Sequence, residues 1–311
     1  MEQIEIDESG LKVSHLGIGT WQAAAEEWGE DVDKIKSRKA IIKAYNMGIN
    51  FVDTAEVYGD GDSERVVGSA LEEINREEMV IATKVASHLR YDDVKKACEK
   101  SLERLGIDRI DLYQVHWPDP WAQIPLKHTM RAMEDLYKKG KIKAVGVSNF
   151  AVRDLEEARD ILSETDIVSN QVVYNMVQRQ IEEEVLPYCR REGITVIAYS
   201  PLAQGLLTGK YTTENKPTDD VRKGSYLFED KNLEEVSELI SVMEDIAKSR
   251  DKTVAQAALN WLVAKPGVIP IPGAKNSQQA EWNAGAAGWE LTDDEKRRIN
   301  EVLDELELDT F

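Results

Sequence analysis

Eight short apolar runs of strand length recur along the chain, each followed by a longer amphipathic stretch, and this alternation is the sequence sign of a parallel sheet covered by helices. The runs are LGIGTW (16–21), INFVDT (49–54), MVIATK (79–84), IDLYQVH (110–116), IKAVGVS (142–148), DIVSNQ (166–171), ITVIAYS (194–200) and GVIPIPG (267–273). Helical spacing appears near 33–47, 63–75, 92–105, 126–139, 152–162, 180–192, 253–265 and 276–284. Eight strands with eight helices predict an α/β fold, a closed (β/α)8 TIM barrel. An open doubly wound sheet would want a Gly-rich turn after its first strand, and GIGTWQAAAEEWGE lacks the G-x-G-x-x-G spacing. The opening IEIDESGLKVSH alternates in period two about Glu8-Ser9-Gly10, which predicts a β-hairpin over 3–15.

Segments 231–250 and 292–308 add helices beyond the eightfold count. No Pro-, Gly- or Ser-rich linker divides the chain, so it reads as one domain, with the barrel over 16–285 and a C-terminal helix and tail over 286–311. The one compositional break, Thr212 to Gly224 (TTENKPTDDVRKG), reads as a mobile loop or lid.

Composition narrows the class of partner. With 42% hydrophobic and 31% charged residues the chain is globular. Its net charge of −19 describes a solvated, self-repelling surface. Such a surface disfavours nucleic acid, and an anionic ligand would need local positive groups. Cys98 and Cys189 form neither a CxxC nor a metal-ligand spacing, so no disulfide framework and no metal site is expected. No targeting segment opens the chain and no apolar run approaches the roughly 18 residues of a membrane span. The expected location is the cytoplasm, in a reducing compartment, without a membrane partner.

In a (β/α)8 barrel the active site lies at the C-terminal ends of the strands. Asp53 closes the second run, Lys84 the third and His116 the fourth, and Tyr58 follows Asp53 in the next loop. Neighbouring parallel strands lie about 4.8 Å apart, so these groups converge on one mouth. A phenol with a reference pKa of about 10 is a weak acid at neutral pH, and a nearby ammonium lowers it. This pattern assigns Tyr58 as proton donor, Lys84 as its partner, Asp53 as the group that holds Lys84 charged, and His116 as a hydrogen-bond donor to a substrate oxygen. Trp21 and Trp117 would supply apolar walls, so the substrate would meet Trp21, Tyr58, His116 and Trp117. The acidic GDGDSE (59–64) lacks the spaced oxygens of an EF-hand and reads as a turn and helix cap.

These residues resemble the aldo-keto reductase family along nearly the whole chain. GINFVDTAEVYGDGDSERVVG (48–68), IATK and DLYQVHWP carry, in order, an Asp, Tyr, Lys, His tetrad that maps onto Asp53, Tyr58, Lys84 and His116. The resemblance implies an NADP(H) cofactor and an aldehyde or ketone substrate. It places Ser148, Asn149 and Gln171 at the nicotinamide carboxamide and Tyr199 against the ring, with Gly19, Thr20, Trp21 and Asp53 alongside. It assigns SPLAQGLLTGKY (200–211) to the pyrophosphate, through Ser200, Pro201, Leu202, Gln204, Gly205 and Lys210. A Walker reading of that loop fails, because one residue is missing between the glycines and no Ser or Thr follows the lysine.

IPGAKNSQQAEWN (271–283) would receive the adenosine phosphate at a helix N-terminus, through Gly273, Lys275, Gln279 and Asn283. Two departures bear on the choice of NADP over NAD: Gln279 stands where classical members carry Arg, and Trp282 where many carry Glu. Two rival readings differ in class. A cofactor-sensing subunit, similar to potassium-channel β subunits, would keep the same tetrad. An aldolase or isomerase using Lys84 as a Schiff base would leave Tyr199, Gln171 and Ser148 unexplained. A monomer or small homo-oligomer is expected.

Overall fold

The structure, a computed structural model, describes residues 1–7, 9–23, 33–87, 90–119 and 123–309. Eight parallel strands form one sheet in chain order: β3 (Ile18–Gly19), β4 (Phe51–Asp53), β5 (Val80–Val85), β6 (Ile110–Val115), β7 (Ile142–Ser148), β8 (Ile167–Val173), β9 (Thr195–Tyr199) and β10 (Val268–Pro270). The sheet closes on itself. Gly17 N–H donates to Pro270 O and Gly19 N–H to Pro272 O, and Gly19 bridges Gly273 in parallel. This is the expected (β/α)8 barrel.

Period two divides each strand between two cores. One set, Phe51, Val80, Ala82, Leu112, Ala144, Val168, Ile197 and Ile269, fills the barrel interior. The other set faces the surrounding helices, among them Val52, Ile81, Tyr113, Val145 and Val196. An antiparallel hairpin, β1 (Gln3–Ile6) with β2 (Leu11–Ser14), puts Ile6, Leu11 and Val13 into the interior cluster and so closes the barrel floor. Glu8 of the expected turn lies outside the described residues.

The helices follow their sequence periodicity. In α3 (Tyr91–Leu105) the buried residues are Val94, Ala97, Cys98, Ser101, Leu102 and Leu105, a single stripe at 3.6 spacing, and Gly106 ends the helix in the left-handed conformation. The other barrel helices are α1 (Lys34–Asn46), α2 (Asp62–Leu71), α4 (Leu126–Lys138), α5 (Val152–Ile161), α6 (Val185–Glu192), α8 (Val254–Val263) and α9 (Ser277–Ala284), with α7 (Asp230–Ser249) and α10 (Asp293–Glu305) additional. Two helices are shorter than their spacing suggests. The stretch expected helical to 75 stops at Leu71, where the Asn75 side chain accepts from Glu77 N–H and starts a separate 3-10 turn. The stretch 180–192 divides into a 3-10 turn at Gln180–Glu182 and α6. No helix among the described residues is long and apolar enough to cross a membrane.

Candidate active site

At the C-terminal end of the barrel the interior turns from apolar to polar. Asp53 at the end of β4 and Lys84 in β5 are both buried, and Lys84 Nζ donates to Asp53 Oδ2 at 2.6 Å. The same ammonium donates to Thr54 O at 2.9 Å and contacts Tyr58 Oη at 3.2 Å, so its three N–H groups are all used. Asp53 Oδ1 accepts from Gln114 Nε2 at 3.0 Å and from Gln171 Nε2 at 2.8 Å. Tyr58 reaches this layer because Gly59, Asp60 and Gly61 all adopt positive φ and turn the chain sharply into α2. The GDGDSE stretch forms the turn read from the sequence, but Gly61 stands at the helix N-cap and no side chain caps it. Tyr58 lies beside Trp21, ring centroids 6.2 Å apart, and edge-on to His116 at 5.7 Å.

The electrostatics follow from burial. Burial alone would push the Lys84 ammonium down, but Asp53 and Tyr58 with their hydrogen bonds outweigh it, and its pKa lies above the ordinary lysine value. Burial pushes the Tyr58 phenol above its ordinary value even though Lys84 pulls it down. This corrects the sequence argument in one respect: the ammonium limits the rise and does not by itself make the phenol more acidic. Burial, with Lys84 nearby, pushes His116 down to about 3, so its imidazole is neutral near pH 7 and keeps one N–H able to donate without carrying charge. Both cysteine thiols are buried and pushed up to about 12, which leaves them inert.

Above this layer opens a cavity of about 950 Å³. It is lined by every candidate catalytic, cofactor and substrate residue read from the sequence except Lys84, whose Nζ lies 4.8 Å from the Tyr58 ring centroid. Ser148 Oγ donates to Gln171 O at 2.8 Å, Asn149 Nδ2 donates to Ser148 Oγ at 3.0 Å, and Tyr199 Oη donates to Asn149 Oδ1 at 3.1 Å. Asn149, Ser200, Ala203, Gln204 and Gly205 all take positive φ, uncommon for the four non-glycine residues. Successive amides in such a conformation form a concavity suited to an anion. At Gly205, φ +100, a Cβ would meet the Tyr211 ring at 3.3 Å. Among the described residues, buried Gln204 Oε1 has no hydrogen-bond partner.

On the opposite wall Asn276 caps α9 by accepting from Gln279 N–H, Gln279 Oε1 accepts from Lys275 N–H, and Asn283 Nδ2 donates to Gly273 O. The Gln279 carbonyl thus braces the turn that carries Lys275.

The aldo-keto reductase family model, described as Aldo/keto reductase family, matches residues 15–304. The chain belongs to this family. It is 36% identical to the aldo-keto reductase YhdN of Bacillus subtilis (strain 168), over 98% of this chain and 94% of that one. It is 31% identical to the NADH-specific methylglyoxal reductase of Escherichia coli (strain K12), over 99% and 100%. A solved aldo/keto reductase from Klebsiella pneumoniae in complex with NADP and acetate is similar in structure, with a TM-score of 0.77, 30% identity and coverage of 97% of this chain and 96% of that one. As an aldo-keto reductase the chain is an oxidoreductase of a family that binds nicotinamide cofactors and carbonyl substrates.

Several residues of this reductase escaped the sequence reading. Gln114 is one, although its place two residues before His116 in a strand already marked it as inward-facing. Gln22, Thr208, Thr253 and Arg222 also line the cavity. Arg222, in the expected lid 212–224, pairs with Asp219 and donates to Tyr211 Oη at 2.6 Å and Gln204 O at 3.3 Å, which ties that segment to the 200–211 loop. No periodicity or motif could have announced it. Part of the loop 117–125 (120–122) lies outside the described residues.

Proposed function

We propose that the protein is an NADP(H)-dependent carbonyl reductase that converts aldehydes or ketones to alcohols, with Tyr58 as general acid assisted by Lys84, Asp53 and His116. The observation that carries this reading is the Tyr58 hydroxyl on a buried Lys84–Asp53 pair at the base of a large cavity, beside a neutral His116. The residues present fit a dinucleotide. The positive-φ run at Ser200, Ala203, Gln204 and Gly205, with Lys210 and Arg222 near it, suits the pyrophosphate, and Lys275 at the head of α9 suits the adenosine phosphate. Gln171, Ser148 and Asn149 suit the carboxamide, and Tyr199 the nicotinamide ring.

The bound cofactor would supply hydride. The chain's residues do the rest. Tyr58 Oη and the His116 imidazole converge where a carbonyl oxygen would sit, and Trp21 and Trp117 wall that place from water. As negative charge grows on the oxygen, Tyr58 gives up its proton, and Lys84 stabilises the phenolate left behind. Asp53 keeps Lys84 charged throughout. NADP is favoured over NAD by Lys275, the local cation at the adenosine phosphate, within an otherwise acidic molecule, whereas Lys210 at the pyrophosphate would serve either cofactor.

The test is oxidation of NADPH by the wild type and by Tyr58→Phe with a panel of aldehydes and ketones. The wild type should consume cofactor, while the variant binds NADPH but loses at least about 100-fold in kcat, the scale of a positioned acid. A wild type that binds NADPH yet reduces none of the panel would overturn the reading.

A further inference from the structure

Gln114 has no part in the reaction just described, yet it lies at the centre of the polar layer and is fully buried. Its Nε2 donates to Asp53 Oδ1 at 3.0 Å, and its Oε1 accepts from Gln171 Nε2 at 3.3 Å. Gln171 Nε2 also donates to that same Asp53 oxygen, while Lys84 occupies the other. A carboxylate only accepts hydrogen bonds, so both amides must turn their NH2 groups toward Asp53. The orientation of each amide then follows. Gln114 Oε1 is left to take the second N–H of Gln171, and only Gln171 Oε1 remains for a ligand in the cavity.

The neighbouring strand makes room for this side chain. Gly146 of β7 is the register partner of Gln114, and a Cβ there would lie 3.0 Å from Gln114 Cγ and 2.6 Å from Ser169 Oγ.

We propose that Gln114 is a positioning residue for carbonyl reduction, one amide that fixes both the Asp53 end of the proton-donating group and the face Gln171 presents to the nicotinamide carboxamide. The proposal rests on the reductase reading. On the proton side, two N–H donors on Asp53 Oδ1 spread the carboxylate's charge and leave the Lys84 ammonium shared with Tyr58. Without Gln114 the ammonium is drawn toward Asp53, and Tyr58 becomes a weaker acid. On the cofactor side, Gln171 loses the acceptor for its second N–H and can present either end of its amide. The titratable groups that face Tyr58 are Lys84, Asp53, His116 and Tyr199, and the variants below change none of them.

The experiment uses the full chain with Gln114→Met, which keeps the length and removes the amide, and Gln114→Glu, which is isosteric. NADPH binding is followed by quenching of tryptophan fluorescence, and kcat and KM for an aldehyde that the wild type reduces are followed from about pH 5 to about pH 11. Gln114→Met should lose about 10- to 100-fold in kcat with less than about a 3-fold change in KM, and the alkaline limb should begin at a higher pH than in the wild type. Gln114→Glu should approach wild-type rates at low pH, where the introduced carboxyl is protonated and donates as the amide did. Its rate should fall as that carboxyl ionises beside Asp53.

An unchanged kcat in Gln114→Met, or an equal loss at every pH in both variants, would overturn the proposal, since simple loss of packing moves no limb and allows no rescue. If Gln114→Met does not fold, the pH dependence of Gln114→Glu decides by itself. A wild type that reduces no carbonyl overturns the reductase reading and this proposal with it, a result distinct from active wild type with indifferent variants.

Discussion

His116 shows how one residue couples the site to the stability of the whole. Its imidazole is pushed down to about 3 by burial and by the Lys84 ammonium, while an unfolded chain would protonate it near 6.5. Between those values the unfolded state binds the extra proton, so stability is fully present above about pH 6.5 and is lost as pH falls toward 3. One proton corresponds to a slope of about 1.4 kcal/mol per pH unit. In urea denaturation at a series of pH values between about 4 and 6, His116→Asn should therefore lose stability less steeply than the wild type, by up to that slope. Equal slopes would mean that His116 binds its proton as readily folded as unfolded.

The elements matter at their ends. Four of the strands hand their last residue to a loop through a ladder bond that continues the sheet: Thr20 N–H donates to Asp53 O, Thr54 N–H to Ala82 O, His116 N–H to Val85 O and Asn149 N–H to Gln171 O. The site is thus built on the rigid rim of the barrel. The 200–211 loop differs, because it holds its shape through left-handed backbone, and Gly205, at φ +100 with the Tyr211 ring 3.3 Å from where a Cβ would lie, accepts a side chain poorly. Gly205→Ala should cost about 1–2 kcal/mol of stability through the positive φ. It should also weaken NADPH binding by about tenfold, about 1.4 kcal/mol, by spreading the amides of the cradle. Thermal unfolding and calorimetric titration measure the two effects, and unchanged affinity would remove this loop from the pyrophosphate site.

At the scale of the molecule the net charge of −19 sets a repulsive background that the fold must overcome. Many acidic groups have local partners, such as Arg159 with Asp166 and Glu192 or Arg250 with Glu295, but 58 acidic residues outnumber 39 basic ones, so the surplus is uncompensated. Raising salt from about 0.01 M to about 0.15 M shortens the screening length from about 30 Å to about 8 Å. The melting temperature should rise with it by about 2 °C or more, the response of a chain of this size to about 1 kcal/mol. A flat or falling melting temperature in scanning calorimetry would show that the acidic surface costs the fold nothing.

The barrel was legible because its signal is local and repeated. Strand period, helix period and turn residues recur eight times, and each copy depends only on neighbours in the chain. Asp53, Lys84 and His116 were legible for the same reason, since a polar residue closing an apolar strand is visible without any contact map. Closure of the barrel was expected from the eightfold count, but the bonds that make it, Gly17 to Pro270 and Gly19 to Pro272, the role of Gln114, the brace that Gln279 makes to Lys275 and the tie from Arg222 to Gln204 were decided only in three dimensions. The strand pairing and the Gln114 contacts join segments far apart in the chain, the Arg222 tie spans 18 residues, and the Gln279 brace spans four but depends on a turn geometry; no periodicity records any of them. The acidity of Tyr58 belongs with them: the sequence placed an ammonium beside the phenol, but the balance between that charge and burial depends on how much water the folded site excludes.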